Sequence, residues 1–220
     1  MLEKVLLSNE FSPILKGFSE DFVWIDLSNK NSQLNDVDTN NSEAFSAYVN
    51  QYLKDNNGKV AIGGYNEART IYKRSENFNT TETDERFIHL GLDLWTNANT
   101  PVFAPLAGKV HSFNNNMGLG NYGPTIILEH QLKGNRFYTL YGHLTKASLV
   151  GLAVGNTINA GENFAAIGNY PSNGDYPPHL HFQVIVDLKE RAGDFPGVTS
   201  LRNQKAALQN CLDPNLILKF

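Results

Sequence analysis

The sequence predicts a mainly β protein, with a small helical N-terminal extension and a short C-terminal helix. Three observations carry that expectation. From about residue 87 onward, short runs rich in Val, Ile, Leu, Phe, Tyr and Thr are divided by Gly, Pro and Asn, the texture of strands and turns. Most of these runs alternate apolar and polar residues with little helical periodicity between them. That pattern suits a compact antiparallel sheet, sandwich or barrel. The chain of 220 residues is 41% hydrophobic and 18% charged. This is enough to bury a core without disulfides, and it excludes disordered, collagenous and coiled-coil classes.

Taken in order, residues 1–60 form an extension and residues 61–220 a second unit with its core at 87–186. In the extension, residues 22–27 (FVWIDL) read as a strand, and the polar stretch 28–42 reads as a loop. Ala44, Phe45, Tyr48, Val49, Tyr52 and Leu53 then recur at helical spacing. Asn40 with Glu43 three residues on suits the helix start, and Asn57-Gly58 suits its end. In the second unit, strands are expected at 87–95, 101–104, 108–113, 125–130, 137–143, 157–158, 163–167 and 179–186. A helix is expected at 201–208, closed by Asp213-Pro214.

Charge and targeting signals narrow the function. A net charge of -4 gives no basic footprint for nucleic acid. No stretch approaches the ~18 apolar residues of a membrane span. Val5-Leu6-Leu7 is too short for a signal-peptide core, so from Met1 a cytoplasmic location is expected. The single cysteine, Cys211, excludes an internal disulfide framework and a Cys-based zinc finger. Glycosylation sequons at Asn40 and Asn79 are idle without secretion.

Histidine is the informative residue. All six lie between His89 and His181. On a strand, residues two apart share a face, so His179 and His181 project together while Leu180 and Phe182 pack behind. If 87–95 is one strand, His89, Gly91 and Asp93 also share a face, and Gly91 leaves space above the sheet. Imidazole nitrogen and carboxylate oxygen are both good zinc ligands. Two histidines with one carboxylate leave a fourth position open, the pattern of a catalytic Zn2+ site. His143, at the end of 137–143, suits support of such a site or acid–base work. His111 and His130 have ordinary strand neighbours and read as scaffold. Gly118-Leu-Gly-Asn-Tyr-Gly123 matches GxGxxG, but it neither follows a strand nor opens a helix, so it is a connection rather than a phosphate cradle.

In combination, HxxxD at 89–93, YGH at 141–143 and HLHF at 179–182 resemble the M23 family of zinc metallopeptidases, the lysostaphin/LytM-like group. The runs TPVFAPLAGKV (100–110), YGPTIILEH (122–130) and VGNTINAG (154–161) are similar to further motifs of that family. The resemblance covers about residues 87–186. It implies the LytM-like peptidase fold, a bound Zn2+ and cleavage of an amide or peptide bond in a peptidoglycan-derived or small peptide-like substrate. It places His89, Asp93 and His181 at the metal-ligand positions and His143 and His179 at the catalytic positions. The flanks GGYNEAR (63–69), DFPG (194–197) and DPNLIL (213–218) resemble the M23-type module between kinase-like and aminotransferase domains of large fusion proteins. Tyr65 and Arg69 are then candidates to line the groove and bind a substrate carboxylate or phosphate. Asn66 is a further candidate, able to reach the open metal position in a latent form. A peptide or peptidoglycan fragment is the expected partner. The alternative is a catalytically silent, zinc-containing LytM-like binding or regulatory module.

Overall fold

The computed structural model describes residues 1–18, 21–74 and 85–220. The Asn79 sequon lies outside the described residues. The chain is mainly β, with short helices near its ends. Helix α1 (Leu2–Leu7) and strand β1 (Phe22–Ile25) precede α2 (Ser42–Asp55) and β2 (Val60–Gly63). The strands β3 (Arg86–His89), β4 (Leu92–Trp95), β5 (Pro101–Phe103), β6 (Gly108–Asn116), β7 (Gly123–Leu132) and β8 (Asn135–Gly142) follow. The chain continues through β9 (Thr157–Ile158), β10 (Asn163–Ala166), β11 (His179–Ile185) and β12 (Val198–Ser200). It ends with α3 (Gln204–Asn210), β13 (Cys211–Leu212) and α4 (Asn215–Leu218).

One sheet organises the molecule, in the order β1-β2-β4-β11-β8-β7-β6-β9, with β13 pairing the end of β11. Its pairs are antiparallel except β1–β2, which is parallel and joined by the long connection that holds α2. Two-stranded pairs β10–β5 and β12–β3 flank it. All seven residues of β11 are buried. Leu180, Phe182 and Val184 enter the main core with Leu92, Leu94, Ile126, Leu128 and Tyr141. His179, His181 and Gln183 take the opposite face, as the two-residue period of a strand requires. Polar side chains at the centre of a sheet demand partners of their own.

The expected strand and helix in residues 1–60 are present, and both join the rest of the fold. Strand β1 extends the central sheet. Leu2 and Leu6 of α1, an element without a sequence signal, enter the main core beside Ile217 of α4. Phe45 and Val49 on one face of α2 pack with Ile25, Ile71 and Trp95 in a second cluster.

Two local expectations are corrected. The α2 cap is Asn41, not Asn40. Its side chain accepts from the N–H groups of Glu43 and Ala44 at 2.9 and 3.0 Å, because the helix begins one residue later than the Asn40–Glu43 spacing implies. Residues 87–95 are not one strand either. The chain breaks at Leu90-Gly91, so β3 pairs with β12 while β4 enters the central sheet. The space over Gly91 is occupied: a Cβ there would meet His181 Cε1 at 2.6 Å and the Phe182 carbonyl oxygen at 2.7 Å. Glycine is therefore required for close approach, and the bend it permits turns His89 toward the site.

Candidate metal centre

Strand register brings the candidate ligands together. Asp93 on β4 lies directly opposite His181 on β11. On its other side His181 faces Gly142 of β8, where a Cβ would strike the Tyr122 ring at 2.7 Å. His89 arrives from β3 across the Leu90-Gly91 bend. The three residues are 1–3% exposed, so water does not screen them. His89 Nε2, His181 Nδ1 and Asp93 Oδ1 converge, with separations of 3.0 Å (His89–His181), 3.0 Å (His181–Asp93) and 3.3 Å (His89–Asp93).

Outer partners fix the protons. His89 Nδ1 lies 2.8 Å from the Gly64 carbonyl. A carbonyl only accepts, so Nδ1 carries the hydrogen and Nε2 a lone pair. The amide nitrogen of Gln183 donates to the Pro196 carbonyl at 3.1 Å, which turns Gln183 Oε1 toward His181 Nε2 at 3.2 Å. His181 Nε2 then carries its hydrogen, and Nδ1 offers a lone pair. Two imidazole lone pairs and a carboxylate oxygen thus face one another with no proton between them. That arrangement is repulsive without a cation. Ligands about 2.05 Å from a tetrahedral ion sit about 3.3 Å apart, close to the spacings here. The donor set fits Zn2+.

Histidines 143 and 179 stand beside this cluster. His143 donates from Nδ1 to the Asn173 carbonyl at 2.6 Å, and His179 from Nδ1 to the Pro177 carbonyl at 2.7 Å. Both therefore keep Nε2 as a free base. His179 Nε2 lies 4.0 Å from Asp93 Oδ1, and the His143 and His179 rings are 4.2 Å apart. Trp95 stacks on His179 at 3.9 Å. His143 holds a left-handed conformation at φ 60, which costs a non-glycine residue on the order of 1 kcal/mol. That turn carries its ring from the end of β8 over the cluster.

Burial lowers the pKa of His179 to about 4, against the opposing pull of Asp93. Burial and the neighbouring His179 push His143 well below its ordinary value. Burial and the Arg69 charge lower His89 to about 4. All three are neutral imidazoles at pH 7. Asp93 is the reverse case. Burial alone would raise it, but its contacts with His89, Arg69 and His181 hold it well below the carboxylate range.

Of the three candidate substrate-binding residues, Arg69 alone reaches the site, and it does so from inside. Its side chain is 0% exposed. Nη1 donates to Asp93 Oδ2 at 2.5 Å and to the Tyr72 hydroxyl at 3.2 Å, Nε donates to Glu67 at 2.6 Å, and Nη2 donates to the Gly64 carbonyl at 3.3 Å. These are the partners of a structural ion pair, and they leave little of the guanidinium for a ligand. Tyr65 donates its hydroxyl to the Cys211 carbonyl at 2.6 Å and packs against the main core. Asn66 turns away from the metal position, its Oδ1 accepting from Gln204 at 2.7 Å.

A cavity of about 270 Å3 opens over the cluster, reached by Asp93, His143, His179 and His181. Tyr72, Tyr122 and Tyr176 line it too, and no sequence spacing marked them. Tyr122 lies in the GxGxxG connection, with its hydroxyl 3.4 Å from His181 Nε2. His111, bonded to Ser112, and His130, bonded to the Ala107 carbonyl and Thr139, are held in the sheet away from the cavity, as expected of scaffold.

Among solved structures, the chain is similar to a putative M23 peptidase from Pseudomonas aeruginosa. The identity is 24% and the TM-score 0.40, over 59% of this chain and 43% of that one. It is also similar to the catalytic domain of lysostaphin from Staphylococcus simulans, at 28% identity and TM-score 0.41, over 61% of this chain and 81% of that one. A zinc-containing peptidase from Vibrio cholerae matches at 27% identity and TM-score 0.38, over 50% of this chain and 31% of that one. The chain thus spans less than half the length of the first and third of these. No curated protein matches it significantly. The sequence model of Peptidase family M23 matches residues 87–193. That matched stretch carries His89, Asp93, His143, His179 and His181.

Proposed function

We propose that the protein is a zinc-dependent hydrolase that cleaves an amide or peptide bond in a peptide-like substrate, including fragments derived from peptidoglycan. One observation carries this reading. Three buried metal-donor atoms converge within 3.3 Å of one another, and two neutral histidines with free Nε2 atoms stand beside them. His89 Nε2, Asp93 Oδ1 and His181 Nδ1 would hold the ion. When bound, zinc supplies Lewis acidity, which lowers the pKa of a water and polarises the scissile carbonyl.

The rest is work for the side chains. Water adds its oxygen to the carbonyl carbon, the C–N bond breaks, and one proton must travel from that water to the departing amine. His179 or His143 takes the proton at Nε2, as a neutral imidazole can. The imidazolium so formed stabilises the developing oxyanion, and the same proton then passes to the departing nitrogen, directly or through the partner histidine whose ring lies 4.2 Å away. The Nδ1 bonds to the carbonyls of Pro177 and Asn173 hold each ring in the tautomer that this relay needs.

The test is hydrolysis of glycyl peptides, muropeptides and a mixed peptide library by zinc-loaded protein, with His179→Ala alongside. Cleavage that a chelator abolishes and zinc restores is expected, with a loss of at least ~100-fold in His179→Ala. Full zinc with no cleavage of any substrate would leave the silent binding module as the reading.

A further inference from the structure

The cavity over the metal cluster has an uneven charge. The protein carries a net charge of -4. Yet three arginines, and among the described side chains no lysine, line this one cavity: Arg69, Arg86 and Arg191. Two aspartates, Asp93 and Asp194, line it as well. Asp93 belongs to the metal cluster and Arg69 is consumed in holding it. Arg191 differs. It sits in an exposed turn after β11, and its guanidinium has no ion pair or side-chain hydrogen bond among the described residues. An unpaired guanidinium in the wall of a concave site is a ready partner for a carboxylate, which it can grip through two parallel N–H donors.

The size of the cavity adds to this. At about 270 Å3 it falls just below the ~300–1,000 Å3 of ordinary small-molecule sites. A ligand of one or two residues fills it, and Arg191 lines the same space as Asp93, His143, His179 and His181. We infer that this cavity takes a short peptide or N-acyl amino acid with a free carboxylate close to the scissile amide, and that Arg191 is the residue that reads that carboxylate. This rests on the hydrolase reading for its chemistry, but the carboxylate preference is measurable as binding alone. It also shifts the carboxylate-binding role expected of Arg69 to a residue whose guanidinium has no side-chain partner among the described residues.

The test compares N-acetylglycine with N-acetylglycinamide, which differ only in the charged group. Each is titrated calorimetrically into zinc-loaded protein and into zinc-loaded Arg191→Ala, an exposed turn position where the fold tolerates substitution. The acid should bind the parent protein about tenfold more tightly than the amide, the value of one charge-assisted contact. In Arg191→Ala that preference should shrink to near unity. Equal binding of acid and amide by the parent overturns the inference. So does a preference that survives in the variant, since the metal alone would then be reading the carboxylate. Triglycine and triglycinamide, followed as substrates, separate the two claims. Cleavage of both at equal efficiency overturns the carboxylate inference and leaves the hydrolase. Arg191-dependent binding with no cleavage supports the carboxylate site and overturns the hydrolase.

Discussion

At Asp93 the two oxygens of a single carboxylate face different partners. Oδ1 faces the two histidine lone pairs, and Oδ2 accepts from Arg69. A carboxylate this deeply buried needs a fixed counter-charge if the fold is to exist before metal arrives. Arg69→Met removes it from Asp93 and Glu67 together. The metal-free variant should lose about 3–5 kcal/mol in urea unfolding. A loss below ~1 kcal/mol would mean that the pair does not hold the site. His130 offers a cleaner titration, away from the metal. Burial lowers its pKa to about 4, so the unfolded chain binds its proton first as pH falls. Its contribution is complete above pH ~6.5 and is lost between pH ~6.5 and ~4, about 3 kcal/mol in all. His130→Gln should flatten that acid limb in melts recorded against pH, and an unchanged limb would contradict the assignment.

At the scale of elements, the central strand was legible because its chemistry obeys a two-residue period. HLHF gave both the buried apolar face and the two projecting imidazoles, and β11 has that arrangement. Residues 87–95 were harder to read. Both a straight strand and a bent one satisfy the same apolar spacing, so His89 and Asp93 were placed near each other for the wrong geometric reason. The glycine between them is filled by the His181 ring rather than left open. Gly91→Ala should therefore cost about 1–3 kcal/mol through overpacking and should weaken zinc binding at the same time. A variant with parental stability and zinc affinity would show the bend to be dispensable. Arg69 carried no sequence signal for its role, because long-range register alone brings it to Asp93. Gln183 shares the face of His181 at a spacing of two, but no local pattern shows the Pro196 carbonyl that orients it.

Over the whole molecule, the first sixty residues are tied to the site-bearing sheet by backbone pairing and by the core. Strand β1 pairs with β2, β2 pairs with β4 at Asp93, and Leu6 is fully buried beside the main core. The sequence displayed β1 and α2 but neither α1 and β2 nor the docking, because a parallel strand pair formed across a long connection leaves no local pattern. Leu6→Ala should cost about 2–5 kcal/mol although it is remote from the metal cluster. It should lower a single cooperative transition rather than split it in two. Two separate transitions would mark the N-terminal residues as an independent unit.

The account turns on the three converging donors, and zinc content measures them directly. Protein equilibrated with zinc, freed of excess and analysed by inductively coupled plasma mass spectrometry should hold one ion per chain. His89→Ala and His181→Ala, folded by circular dichroism, should each hold about a tenth of that or less, because both ligands are needed to complete the site. A His89→Ala or His181→Ala protein that kept its full zinc, or a parent protein that held none, would contradict the metal centre on which the proposed hydrolysis depends.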